Sequence, residues 1–261
     1  MKNLTLEEKQ ECFKLCIYSY NIYKRKKPEG HNIVGVDSLD NGFFTVITKK
    51  DNNIYVTYRG SNDLKDYAND IHMVAKQIPA QTRNAIDVYC WAKETFPNNR
   101  IIVTGHSLGG SLAQIVGALY GTDAVTFNPY GTKELFTHLE NLRTDKIINY
   151  CYPNDYLVGR NFYNNMGKNY VLNSSSGHDM EGMDSLDKAI HVTSEDFKNK
   201  TAKRLIEDDD MKYYKATGKH KPIIMGGVSK CVGAYSVSGY TRSDGIEVSG
   251  YIRSCGAKHG K

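Results

Sequence analysis

Gly105-His106-Ser107-Leu108-Gly109 is the stretch of this chain with the sharpest chemical content. A serine hydroxyl is a weak nucleophile until a base takes its proton, and the base needs an acid to orient it. Glycines two positions before and after the serine suit a turn so tight that a side chain at either place would clash. Ile101-Ile102-Val103-Thr104 before it reads as a buried strand, and Leu112, Ile115, Val116 and Leu119 recur afterwards at helical spacing. Strand, G-x-S-x-G, helix is the context of a nucleophile elbow. The hydroxyl then projects above the sheet edge, and the Leu108 amide points into the same space at a helix N-terminus. The competing reading is an ordinary glycine-rich strand-to-helix turn.

An elbow serine is followed along the chain by Asp or Glu and then by His. The acid should lie just past the end of a later strand, where the carboxyl edge of a parallel sheet gathers its site. Asp155 does so, after a strand over 146–151 and a Pro153-Asn154 turn, whereas Asp123 and Asp145 precede their strands. Four histidines follow Asp155: His178, His191, His220 and His259. His178, in the Ser- and Gly-rich run 174–180, is the favoured base. His191, in the apolar Ala189-Ile190-His191-Val192, stands second, and His106 is expected to pack within the elbow. A second oxyanion donor fits Arg59-Gly60-Ser61-Asn62, so the Ser61 and Leu108 amides form the expected oxyanion hole. The competing reading there is a plain strand-end turn with Arg59 in a salt bridge.

The elements needed to hold these residues follow from periodicity. Residues 4–23 read as a helix with Leu6, Phe13, Ile17 and Tyr20 on one face, opened by a Thr5/Glu8 capping box. Strands over 42–48 and 54–59 flank a Lys50-Asp51-Asn52-Asn53 turn, 63–73 is short and partly helical, and 79–96 is an amphipathic helix burying Ile86, Tyr89 and Cys90. A strand over 124–127, a helix over 133–142, a loop over 160–187 and a helix over 194–206 complete the pattern. Strands alternating with helices argue for an α/β protein, a mostly parallel sheet with helices on both faces.

The 261 residues suit one large domain, expected over 1–207, then a linker over 208–230 and a basic tail over 231–261. The tail repeats itself: Val237-Ser238-Gly239-Tyr240-Thr241-Arg242-Ser243 is echoed by Val248-Ser249-Gly250-Tyr251-Ile252-Arg253-Ser254. Asp244-Gly245 between the copies suggests a hairpin turn and a small β-ribbon appendage. The net charge of +5 resides in the residues from Gly218 onward, which could touch an anionic surface; no clear nucleic-acid site stands out. Six scattered cysteines without a C-x-x-C pair read as reduced thiols. No signal peptide or transmembrane run is expected, which leaves a cytoplasmic, virion-associated or non-classically exported protein. No metal or organic cofactor is expected either, since no H-E-x-x-H or zinc spacing occurs.

Several of these segments resemble one family. Thr104-Gly105-His106-Ser107-Leu108-Gly109-Gly110-Ser111-Leu112-Ala113 is similar to the elbow of the class 3 lipases. Tyr58-Arg59-Gly60-Ser61, with Asp66-Tyr67 and Asp70, resembles their oxyanion and lid segments. Phe127-Asn128-Pro129-Tyr130-Gly131, Asn154-Asp155 and His178-Asp179-Met180-Glu181 resemble their later strand end, acid and histidine segments. The resemblance covers residues 33–183 and implies an α/β-hydrolase fold, with Ser107 as nucleophile, Asp155 as acid, His178 as base and an oxyanion hole at Ser61 and Leu108. Tyr67 stands where many members carry a lid tryptophan, and 62–66 is polar. Short or polar acyl esters and phospholipids therefore fit as well as long-chain triglyceride. The expected activity is serine-dependent hydrolysis of acyl esters through an acyl-enzyme. The alternatives are a phospholipase acting on membranes and a catalytically silent binding module.

Overall fold

The computed structural model describes residues 3–61, 81–137, 139–152, 155, 164–172, 178, 180 and 185–193, and the backbone of 234–237, 240–241, 247–248 and 251–254. In chain order these form α1 (Leu6–Ser19), β1 (Asn32–Ser38), β2 (Phe44–Lys50), β3 (Asn53–Tyr58), α2 (Thr82–Thr95), β4 (Arg100–His106), α3 (Leu108–Tyr120), β5 (Asp123–Phe127), β6 (Ile147–Cys151), β7 (Lys168–Val171) and β8 (Ile190–Val192). One eight-stranded sheet takes β1 to β8 in sequential order. Its centre, β3 to β7, is parallel; β1 and β2 at one margin and β8 at the other run antiparallel to their neighbours. The mostly parallel α/β sheet expected from the sequence is present.

Period-two alternation decides which helix covers which face. Ile54, Val56 and Tyr58 of β3 and Ile101 and Val103 of β4 join the core beneath α2 and α3. Tyr55 and Ile102 turn the other way, onto Cys12, Leu15 and Cys16 of α1. Helices in the crossovers between parallel strands cover both faces of the sheet, and the central strands are accordingly apolar on both sides.

The course of α1 matters for the site. It opens with the expected capping box: the Glu8 amide donates to Thr5 Oγ1 at 3.1 Å and the Thr5 amide to Glu8 Oε2 at 2.8 Å. Glu8 meets Arg100 at the start of β4 (3.1 Å), Cys16 Sγ lies 3.4 Å from Thr104 Oγ1, and Tyr20 reaches His106 at the strand's end. The helix thus runs alongside β4 and delivers its C-terminus to the carboxyl edge of the parallel strands. Its buried face is Cys12, Leu15, Cys16 and Ser19 with Phe13; Leu6, expected inside, is 42% exposed.

Other expectations need correction. The helix expected to reach residue 23 stops at Ser19. β1 is an additional strand; its half-exposed pattern and a register shift between Ile33 and Gly35 blur the alternation. Residues 133–142 hold a 3-10 turn, Lys133–Phe136, in place of a full helix. Asn141 takes a left-handed backbone (φ 70°), and Leu135, Leu139 and Leu142 pack individually against the core. The expected loop over 160–187 contains β7, whose Asn169 faces a buried amide cluster. There Gln114 Nε2 donates to Asn149 Oδ1 (2.8 Å) and Asn165 Oδ1 (2.9 Å), and Asn149 Nδ2 donates to the Met166 carbonyl (2.8 Å) and Asn169 Oδ1 (3.2 Å). These bonds tie α3 to β6 and β7, with every amide partnered.

The segments expected as helical over 63–73 and 194–206, and the linker over 208–230, lie outside the described residues. In the tail, β9 (Ala234–Val237) pairs with β12 (Tyr251–Ser254), and β10 (Tyr240–Thr241) with β11 (Glu247–Val248). Thr241 pairs with Glu247, whereas a two-residue Asp244-Gly245 turn would pair it with Val248. Cys12, Cys16, Cys90 and Cys151 are buried free thiols. No helix among the described residues is long and apolar enough to cross a membrane.

Candidate active site

β4 runs directly into α3 through one residue, Ser107, with φ 57° and ψ −125°. A non-glycine residue held at positive φ costs on the order of 1–3 kcal/mol, which its surroundings must offset. Crowding here is severe. A Cβ on Gly105 would lie 2.2 Å from the Gly109 carbonyl oxygen, and one on Gly109 would lie 2.1 Å from that of Tyr58. Both glycines are therefore required by close backbone approach, as the motif implied. The Ser107 amide still continues the ladder, donating to the Phe127 carbonyl at 3.0 Å.

Ser107 Oγ lies 2.8 Å from His178 Nε2, and His178 Nδ1 lies 2.7 Å from Asp155 Oδ2. All three side chains are buried. The Asp155 amide donates to the Tyr152 carbonyl at 3.2 Å, which holds the acid just beyond β6. A carboxylate accepts only, so Nδ1 carries a proton and Nε2 is free to accept from the serine. His191 sits elsewhere: it is exposed on β8, opposite Tyr170, with ring centroids 5.2 Å apart.

Of the expected oxyanion residues, Leu108 adjoins the serine in the chain and Ser61 follows the glycine packed against it. Leu108 is the first residue of α3, where backbone amides lack partners within the helix. Ser61 follows Gly60 at the end of β3, and a Cβ on Gly60 would come within 3.1 Å of Ser107 Cβ. Arg59 makes no ion pair among the described residues. Its guanidinium lies 4.3 Å over the Phe44 ring with Nε buried and without a hydrogen-bond partner, and the neighbouring acidic residues Asp63, Asp66 and Asp70 lie outside the described residues.

Three neighbours received no role from sequence. His106, expected to pack in the elbow, does so with specific bonds: Nδ1 meets the Tyr20 hydroxyl at 2.6 Å and Nε2 the His178 carbonyl at 2.9 Å. Burial, assisted by the nearby His178 ring and opposed by the bond to that carbonyl, pushes the His106 pKa down to about 3. Asn128, at φ 42°, donates from Nδ2 to the same carbonyl at 3.1 Å and accepts the Tyr152 amide at 2.9 Å. Tyr130 brings its hydroxyl to 3.3 Å from Ser107 Oγ and stacks its ring parallel to that of His178. Asparagine is the non-glycine residue that best tolerates the positive φ of position 128, although the following proline favours an extended conformation; nothing in the sequence announced the Tyr20–His106 contact.

Residues 25–146 match a family model described as a Tle-like phospholipase domain. The chain is 31% identical over 93 residues to an extracellular phospholipase A1 of Serratia liquefaciens, covering 36% of this chain and 29% of that protein. It is 37% identical over 71 residues to the ATG15 protein of Candida glabrata, covering 26% and 14%. The matched stretch is thus less than a third of either relative's own length. Among solved structures, the triacylglyceride lipase of Rhizomucor miehei shares the fold at TM-score 0.50 and 13% identity, covering 66% of this chain and 83% of that one. Sheet, helices and elbow define an α/β-hydrolase-type chain. Its motifs resemble those of the class 3 lipases, and the family model and curated relatives that match part of it carry phospholipase and lipase descriptions.

Proposed function

We propose that this protein hydrolyses lipid esters, with Ser107 as nucleophile, His178 as general base and Asp155 as the acid that orients it. Ser107 Oγ attacks the acyl carbonyl while its proton passes to His178 Nε2, and Asp155 stabilises the imidazolium. The tetrahedral oxyanion is received by the Leu108 and Ser61 amides. Collapse expels the alcohol, which takes the proton from His178. A water activated by the same imidazole then releases the acid and frees the serine.

The observation that carries this reading is the unbroken pair of hydrogen bonds, 2.8 and 2.7 Å, from a serine held in a strained elbow to a buried carboxylate. Strain is retained where a rigid surround enforces it, and exposure of a nucleophile is one use for it. The description of the matching family and the name of the Serratia relative favour glycerophospholipid as the ester acted on.

A fluorophosphonate probe tests the chemistry, because it reacts only with an activated serine. The unmodified chain should be labelled, and Ser107→Ala should not. Turnover of p-nitrophenyl esters, triglyceride and glycerophospholipid then orders the substrates. An unlabelled wild-type chain would instead favour a silent hydrolase fold used for binding.

A further inference from the structure

The chain leaves α1 at the carboxyl edge of the sheet, beside the proposed nucleophile, and what it places there is cationic. Tyr23-Lys24-Arg25-Lys26-Lys27 is exposed throughout, and Tyr23 is 91% exposed. None of the four basic residues makes an ion pair with a described residue.

The backbone of this segment is held. The amides of Lys24 and Arg25 donate to the Asn21 carbonyl at 3.3 and 2.9 Å, and the Lys24 amide also lies 3.1 Å from Asn21 Oδ1. Ile22 packs inward on Tyr18, Phe44 and Val46. Phe44 carries the Arg59 guanidinium on its ring, so Arg59 and Ile22, the residue just before the basic stretch, pack on the same small cluster. Tyr20, the last residue before the turn, reaches His106 next to Ser107. Uncompensated cations and an exposed tyrosine thus form a rim at the edge where Ser107 sits.

We propose that Tyr23–Lys27, together with Arg59, is a docking surface for an anionic phospholipid bilayer. Clustered Lys and Arg are attracted to anionic headgroups, and tyrosine sits at headgroup depth, apolar body inward and hydroxyl outward. Docking at this rim brings the carboxyl edge of the sheet toward the membrane, so a lipid ester has a short path to Ser107. The proposal rests on the lipid-ester reading for its purpose, but binding is measurable without catalysis. It also differs from the sequence-based expectation that the basic tail touches an anionic surface.

The test uses the full chain carrying Ser107→Ala, with vesicles of phosphatidylcholine alone or mixed with phosphatidylglycerol, read by co-sedimentation. The protein should bind the mixed vesicles, bind neutral ones far more weakly, and detach as salt rises. With about fivefold per cation, Lys24→Gln/Arg25→Gln/Lys26→Gln/Lys27→Gln should weaken binding by about six-hundredfold. A second variant, Lys26→Glu/Lys27→Glu, should lose binding independently of the first. A tail variant, Lys219→Gln/Lys221→Gln/Lys230→Gln/Arg242→Gln, should bind as the parent does. Equal binding to both vesicle types, undiminished binding by the two turn variants, or loss with the tail variant instead would overturn the proposal. So would tighter binding to a DNA duplex than to mixed vesicles. Failure here with intact fluorophosphonate labelling rejects the docking surface alone; failed labelling with intact vesicle binding rejects the chemistry alone.

Discussion

His106 donates from Nε2 to the carbonyl oxygen of His178 at 2.9 Å, one histidine holding the backbone of another. A carbonyl has no proton to give, so the tautomer of His106 is settled: Nε2 carries the hydrogen, and Nδ1 accepts from the Tyr20 hydroxyl. Asn128 supplies a second donor to the same carbonyl. Tyr20 from the end of α1, His106 from the end of β4 and Asn128 from the end of β5 therefore converge on the residue proposed as the base.

Loss of either donor should be felt as positioning. His106→Phe and Asn128→Gly are each expected to lower kcat on a soluble p-nitrophenyl ester by about tenfold, as partners that orient an active imidazole do. KM should change little. Asn128→Gly keeps the positive φ while removing both side-chain bonds, which separates the amide's role from backbone strain. An unchanged kcat in both variants would show that the clamp is dispensable.

The two candidate bases separate cleanly. His178→Ala should cut turnover by about a thousandfold or more, since the serine loses its proton acceptor. His191→Ala, on an exposed margin strand with only a ring contact to Tyr170, should change it less than about twofold. Steady-state rates of the two variants decide the matter, and the reverse order would reassign the base.

Much of this was legible because strong local rules applied. A strand, two obligatory glycines and a helix leave little freedom around Ser107, and both chain order and strand-end position pointed at Asp155. The parallel core could be read because its strands are β-branched runs separated by helical periodicity. β1 escaped because it is half exposed and irregular at Gly35, and β7 because its inward residue is a hydrogen-bonded asparagine. The 133–142 segment misled because leucines at helical spacing can also be buried one at a time. Contacts such as Tyr20 with His106 join residues 86 positions apart, and no local pattern encodes them.

Tyr130 is expected to assist the nucleophile directly. Ser107 Oγ donates to the Tyr130 hydroxyl at 3.3 Å; when its one proton turns to His178 Nε2, 2.8 Å away, the phenol is in place to donate back to Oγ. That bond fixes the serine rotamer and tempers the negative charge as the proton leaves. Tyr130→Phe, which keeps the ring stacked on His178, should slow both ester turnover and fluorophosphonate labelling by about three- to tenfold, the scale of one hydrogen bond. Equal labelling rates in the two proteins would remove the role.

Acid should weaken the fold partly through His106. Its ordinary pKa is 6.5, and in the folded chain it is about 3, because the buried site disfavours the charged ring. Between those values the unfolded chain binds a proton that the folded chain does not. The stability this provides is therefore complete above about pH 6.5 and is lost as pH falls toward 3. The slope from one such group is at most about 1.4 kcal/mol per pH unit. His31, lowered chiefly by burial and opposed by its bond to Glu11, acts with the same sign. Urea denaturation of wild type and His106→Gln from pH 7 to pH 4 should show a shallower loss in the variant; parallel curves would contradict the buried neutral histidine.

Gly109→Ala is expected to be severe. Its Cβ would fall 2.1 Å from the Tyr58 carbonyl oxygen and 2.8 Å from the Arg59 carbonyl carbon, and backbone atoms cannot rotate aside as a side-chain tip does. Relief requires α3 to lift from the end of β3, which would pull the Leu108 amide away from the serine. Stability should fall by about 3 kcal/mol or more, on the scale of severe overpacking. Any folded fraction should also label slowly with fluorophosphonate, because the elbow has opened. Gly121→Asn makes the comparison: that residue closes α3 at φ 60°, a conformation asparagine tolerates, and the contact of its new Cβ is with the movable side chain of Arg143. Thermal melting of the two variants should therefore show a large loss for the first and a small one for the second. Similar losses would mean that the strand-to-helix turn is less tightly packed than these distances imply.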